Sequence, residues 1–204
     1  MKWNFNTRSY LLCLIILLCI SCNETHSEKR VAMELYNTFE PSNHLQPEME
    51  KIEFDTLHNA DFCFAVLKPI NIALNKNEEI QLSKRLSPGQ KALYFFWYLD
   101  AEVNNGGFIQ FYWNGKRMYL PPIIEGLKLI NDSAMLHLVM AADKEFIANE
   151  DKFMKQKEIH NWEPLYNNLK KFDEYDSLYY LYNHHTMSLI EKYVRQFPNE
   201  FVKL

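Results

Sequence analysis

The run Leu93-Tyr94-Phe95-Phe96-Trp97-Tyr98-Leu99 is apolar nearly all round, and it stands just after Ser87-Pro88-Gly89-Gln90. That tetrapeptide reads as a helix start. The Ser87 hydroxyl can cap, Pro88 suits a first turn where its missing N–H has no helical partner, and Gln90 can reach back in a capping box. A helix from Pro88 to about Asn104 is therefore expected. A helix apolar on every side cannot lie on a surface, so other helices must surround it. This one element calls for a bundle built around a buried aromatic central helix.

The rest of the chain is consistent with that demand. Of 204 residues, 48% are hydrophobic and 15% aromatic, and only 5 are glycine, which favours a packed helical protein over a turn-rich sandwich or a disordered chain. Phe62, Ala65, Val66, Ile70, Ala73 and Leu74 recur at helical spacing, with Pro69 either kinking that helix or starting a second one. Asn104-Asn105-Gly106-Gly107 is expected to end the central helix, because Asn and Gly tolerate the left-handed conformation of a helix C-terminus. A short aromatic helix, Phe108 to Trp113, should follow before Asn114-Gly115 turns the chain. Pro121-Pro122 opens a helix over Ile123 to Ile130, and Asp132 caps another that carries Leu136, Val139, Met140, Phe146 and Ile147 toward the core. Residues Asn149 to Trp162 are charged and read as exposed. The last strong helix is expected within Tyr175 to Gln196, with Leu178, Leu181, Tyr182, Leu189, Ile190, Tyr193 and Val194 as its apolar face and Pro198 as its stop. No alternating strand pattern of convincing length appears. The fold class is thus all-α, a single bundle of about six or seven helices.

The chain opens differently. Lys2 and Arg8 precede an uninterrupted apolar run from Tyr10 to Ile20, too short for a bilayer core that needs about 20 helical residues. The run ends in Cys19-Ile20-Ser21-Cys22, which resembles a bacterial lipobox with Cys19 where Leu is usual. Residues 1–21 therefore read as a lipoprotein signal and Cys22 as the lipid attachment; ordinary secretory cleavage after Ser21 is the alternative. Acyl chains there would hold the protein to a membrane on the periplasmic or outer-membrane side, since each buried methylene contributes roughly 0.8 kcal/mol. Residues 22–59 read as a tether and N-terminal arm: Asn23 to Arg30 is polar, Val31 to Glu40 could form a short helix, and Pro41 to Pro47 interrupts it. Residues 60–204 are then the helical domain. Cys13 and Cys19 leave with the signal, so Cys63 remains as a lone thiol without a disulfide partner, a small buried hydrophobe between Phe62 and Phe64.

Charge and motifs narrow the function. The net charge is −4, and the leader carries Lys2 and Arg8 with no acids, so the mature chain carries −6. Basic residues are interspersed with acids and form no stripe, which argues against a nucleic-acid partner. His184 and His185 are helix neighbours about 100° apart and cannot share a metal unaided; with His137 they read as surface or satisfied core groups. No metal or cofactor is expected, and no phosphate loop, serine elbow or zinc-protease motif occurs. The paired acids Glu78-Glu79 and Asp173-Glu174 lie in polar contexts and read as solvated. An enzyme is the minority reading. The remaining candidate is the polar cluster Glu102, Asn104, Asn105, Gln110 and Asn114 around Gly106, Gly107 and Phe108. It could line a pocket for a ligand or a partner's backbone; the preferred reading is structural, with these side chains satisfying open helix ends.

The run Ala101-Glu102-Val103-Asn104-Asn105-Gly106-Gly107-Phe108-Ile109-Gln110-Phe111-Tyr112-Trp113-Asn114 resembles the signature of a bacterial helical family whose named member is a DNA-mimic protein. Leu86 to Gln90, Glu125 to Ile130 and Phe172 to Asp176 are similar to its neighbouring segments, and the resemblance extends over roughly Ala60 to Phe201. It implies an all-α domain, no cofactor, a dimer as one oligomeric option, and for one member an acidic surface presented to a transcription regulator in place of DNA. The expected function is a lipid-anchored, non-catalytic envelope protein that binds a protein partner as an immunity-like or regulatory factor. The alternatives are an enzyme using Glu102 near the turn, and a DNA mimic bound by a nucleic-acid-binding protein.

Overall fold

The computed structural model describes residues 38–204. The expected export signal, Cys22 and most of the expected Val31 to Glu40 helix lie outside the described residues; Thr38, Phe39 and Glu40 are not helical. The described residues form nine α-helices: α1 (Lys51–Thr56), α2 (Asn59–Leu67), α3 (Lys76–Ser83), α4 (Pro88–Trp113), α5 (Leu120–Leu129), α6 (Ser133–Ala148), α7 (Glu150–Glu158), α8 (Glu163–Asn168) and α9 (Lys171–Gln196). The only β-pairing among them is an isolated bridge between Glu48 and Lys203. The all-α class holds, but with more helices than six or seven, because α1 and α8 are each 6 residues long and too short to show a period. None of the described helices is long and apolar enough to cross a membrane.

The central helix is α4. Its start is the expected capping box: Gln90 N–H donates to Ser87 Oγ at 3.1 Å, and Ser87 N–H to Gln90 Oε1 at 2.9 Å. Leu93, Tyr94, Phe95, Phe96 and Leu99 are buried, while Trp97 and Tyr98 are half-buried. α5, α9 and α2 pack around it. α4 does not end at Asn104 as expected. It bends at Gly106 and Gly107 and resumes at once, reaching Trp113 without an intervening loop. Asp132 caps α6 as expected, accepting Met135 N–H at 3.0 Å.

Several expected core positions face outward: Met140 and Ile147 on α6, and Leu178 and Leu181 on α9. The cause on α9 is a polar core. Buried Asp100 accepts Tyr179 Oη–H at 2.7 Å and Asn183 Nδ2–H at 2.6 Å, and buried Asp132 accepts Thr186 Oγ1–H at 2.6 Å. Those three hydrogen bonds turn the Tyr179, Asn183 and Thr186 side of the helix inward, and Leu178 and Leu181 outward. The segment Asn149 to Trp162 is largely exposed, except that Asn149 is buried and Phe153 is buried among Tyr112, Phe146 and Phe172. The described part of the N-terminal arm lies along the bundle: Leu45 N–H donates to Arg85 O and Met49 N–H to Lys203 O, both at 2.9 Å, and Met49 and Phe54 join the core.

Candidate functional site

The kink in α4 is made by Gly106 and Gly107 and closed by side chains from elsewhere. Gly107 holds φ +72° and ψ −176°, a conformation that side-chain-bearing residues rarely adopt. The bend frees the Phe108 N–H, which donates to Asp176 Oδ1 of α9 at 2.8 Å. Asp176 thus caps the second half of α4 from another helix, and a Cβ on Gly107 would fall 2.1 Å from its Oδ2. Burial pushes the Asp176 carboxyl up to about 6, against the Phe108 hydrogen bond, which pulls it down. Two tyrosines hold other backbone carbonyls at the bend: Tyr166 Oη–H donates to Gly106 O at 2.6 Å and Tyr180 Oη–H to Val103 O at 3.1 Å.

The polar cluster spans the kink. Glu102 Oε2, on the first half of α4, accepts Gln110 Nε2–H at 2.8 Å and Asn114 Nδ2–H at 2.7 Å from the second half. Asn105 Nδ2–H donates to Gln110 Oε1 at 2.9 Å, so Gln110 is held from both ends. Asn104 points elsewhere: its amide donates to Asp100 Oδ1 at 2.8 Å. Phe108 is fully buried, its ring 6.0 Å from that of Tyr179, and is a core residue. The structure therefore brings Glu102, Asn105, Gln110 and Asn114 together, and sets Asn104 and Phe108 apart from them.

Beside this network opens a cleft of about 480 Å³. Asn105, Gln110 and Asn114 line one side, and Trp113, Trp162 and Tyr166 supply aromatic surface. Trp162 and Tyr166 meet edge to face at 5.2 Å, and Trp162 is 53% exposed. The aromatic residues Trp162 and Tyr166 come from a segment about 50 residues beyond the motif, which local sequence reading does not connect to it.

Glu79 corrects the expectation of a solvated pair of acids. Glu78 is exposed, but Glu79 is buried, its carboxylate accepting Tyr94 Oη–H at 3.1 Å, Tyr98 Oη–H at 2.5 Å and Tyr119 Oη–H at 2.6 Å. The Tyr98 and Tyr119 rings stack at 4.4 Å, and Lys116 Nζ lies 4.9 Å from the Tyr98 ring centre. Burial raises all three phenols, Tyr98 to about 12; the next cause is Glu79 for Tyr98 and Tyr119, and Tyr98 for Tyr94. Asp173 and Glu174 are exposed, as expected. Cys63 is buried, and burial pushes its thiol up to about 12. His137, His184 and His185 are exposed, and no group of metal-ligating side chains occurs among the described residues.

No curated protein matches the chain. Over residues 84–197, more than half of its length and inclusive of both the kink and Asp176, the sequence matches the model of the DMP19-like protein family, and the chain belongs to that family.

Proposed function

We propose that the chain is a lipid-anchored, non-catalytic helical module that binds a protein partner in the cell envelope, in an immunity-like or regulatory role. The observation that carries the reading is the outward face of α9, where Leu178 and Leu181 stand exposed, Leu181 at 69%, on a long helix whose polar side is fixed inward. Neighbouring exposed leucines on a rigid helix suit a partner surface. The non-catalytic part draws support from Glu102, whose Oε2 already accepts two amide N–H groups that brace the kink.

DNA mimicry, the role suggested by the family's named member, is the second reading. A 40 Å stretch of duplex presents on the order of twenty negative charges, against a net −4 for this whole chain. Several surface acids are neutralised by lysines beside them, as in Lys128–Glu125 and Lys51–Asp55. Binding of a protein through the exposed apolar face of α9 is the better supported of the two. The test is capture from envelope extracts by the immobilised full chain and by a Leu178→Ser/Leu181→Ser variant. A protein retained by the parent and lost by the variant at unchanged melting temperature is the expected result, and equal retention by both would overturn it.

A further inference from the structure

The cleft beside the kink contains no charged residue in its lining. It offers aromatic surface from Trp113, Trp162 and Tyr166, and carboxamides from Asn105, Gln110 and Asn114. Gln110 is occupied at both ends, but Asn105 and Asn114 each give only one amide hydrogen to the network. Each therefore keeps a carbonyl oxygen and one N–H. The indole N–H groups of Trp113 and Trp162 have no protein acceptor among the described residues. Uncommitted donors and acceptors are thus interspersed beside flat apolar faces, at a volume within the roughly 300–1,000 Å³ of small-molecule sites.

We propose that this cleft binds a neutral sugar ring of a glycan. A pyranose has one face of C–H groups that lies flat on an indole or phenol ring, and a rim of hydroxyls that both donate and accept, as the carboxamides and indoles do. A charged ligand would find no counter-ion in the lining, and an anion would also stand near the Glu102 carboxylate behind Gln110. The cleft is pre-shaped. Tyr166 is tied to Gly106 O, and Gln110 and Asn114 to Glu102, so sugar binding does not have to order those side chains. The proposal is independent of the protein-binding face on α9.

Two of the 4 tryptophans line the cleft, so emission reports occupancy. The full chain, in a sugar-free detergent, is titrated with maltotriose, cellotriose and triacetylchitotriose. A saturable change in tryptophan emission with at least one of them is expected. Trp162→Ala should abolish it, Asn105→Ala should weaken affinity about tenfold, and Leu181→Ser should leave it unchanged, all at parental helicity by circular dichroism. Trp162 is largely exposed and Asn105 is on the surface, so at least one of the two cleft variants is expected to fold. Saturation that persists undiminished in the folded cleft variants would overturn the proposal. So would the absence of saturation with every sugar, including the case where a proline-rich peptide saturates the cleft instead.

Discussion

Gly107→Ala puts the kink to a quantitative test. A Cβ at this position would fall 2.1 Å from Asp176 Oδ2 and 2.7 Å from its Cγ, on a backbone held at φ +72° and ψ −176°. That backbone region is essentially glycine-only and costs a side-chain-bearing residue about 1–3 kcal/mol. If Asp176 moves away to relieve the contact, the Phe108 N–H loses its acceptor, and loss of such a cap costs about 1 kcal/mol. The sum is about 2–4 kcal/mol, a large part of a typical folding free energy. For a chain of this size each kcal/mol lowers Tm by roughly 2–4 °C, so a fall of roughly 4–16 °C is expected in a thermal melt followed by circular dichroism.

Two companions isolate the cause. Gly106→Ala has an extended φ of −162°, and its Cβ would meet the end of the flexible Gln110 side chain, so its cost should be clearly smaller. Asp176→Gly removes both the clash and the cap, so the Gly107→Ala/Asp176→Gly double variant should be less destabilised than the sum of the singles. A Gly107→Ala melt within about 1 °C of the parent, or strict additivity in the double variant, would refute the account of the kink.

Removing the Glu79 carboxylate leaves three tyrosine hydroxyls without their acceptor, so Glu79→Ala should cost roughly 2–4 kcal/mol by urea denaturation, and Glu79→Gln, which keeps one acceptor oxygen, should cost less. Asp176 binds its proton more tightly when folded, at about 6 against 3.8, so its contribution to stability is fully present below about pH 4 and is lost as pH rises through 6. The parent's urea midpoint should therefore fall relative to that of Asp176→Asn across this window, and a constant difference would count against the buried carboxyl. Cys22→Ser should abolish fatty-acid labelling and move the protein out of the membrane fraction; unchanged labelling would remove the lipid anchor from the proposed function.

Signals confined to a few consecutive residues were legible in the sequence. Ser87 with Gln90, and Asp132 with Met135, are each three residues apart, and both caps form where their residue types demand. Gly106-Gly107 also announced a departure from helical geometry, and the positive φ is there at Gly107. What those glycines could not reveal was whether the chain would turn away or resume its helix. That depends on whether an acceptor waits for the Phe108 N–H, and the acceptor is 68 residues distant. In the local sequence Asp176 stands only as one more acid beside Asp173 and Glu174.

The same reasoning explains why apolar periodicity misjudged α9, and why Glu79 on α3 read as solvated. Periodicity assumes that the core attracts apolar groups and repels polar ones. Here three buried carboxylates, Glu79, Asp100 and Asp132, reverse that rule locally, because a buried acid is tolerable only with donors around it. Tyr94, Tyr98 and Tyr119 answer Glu79; Tyr179 and Asn183 answer Asp100; Thr186 answers Asp132. The last three lie on α9 at spacings of four and three residues, which is one helical face. That face is accordingly drawn inward, and the leucines at 178 and 181 are carried to the surface. The exposed pair on which the protein-binding proposal rests is therefore a consequence of hydrogen-bond satisfaction in the core, and its orientation depends on Asp100 and Asp132 remaining paired.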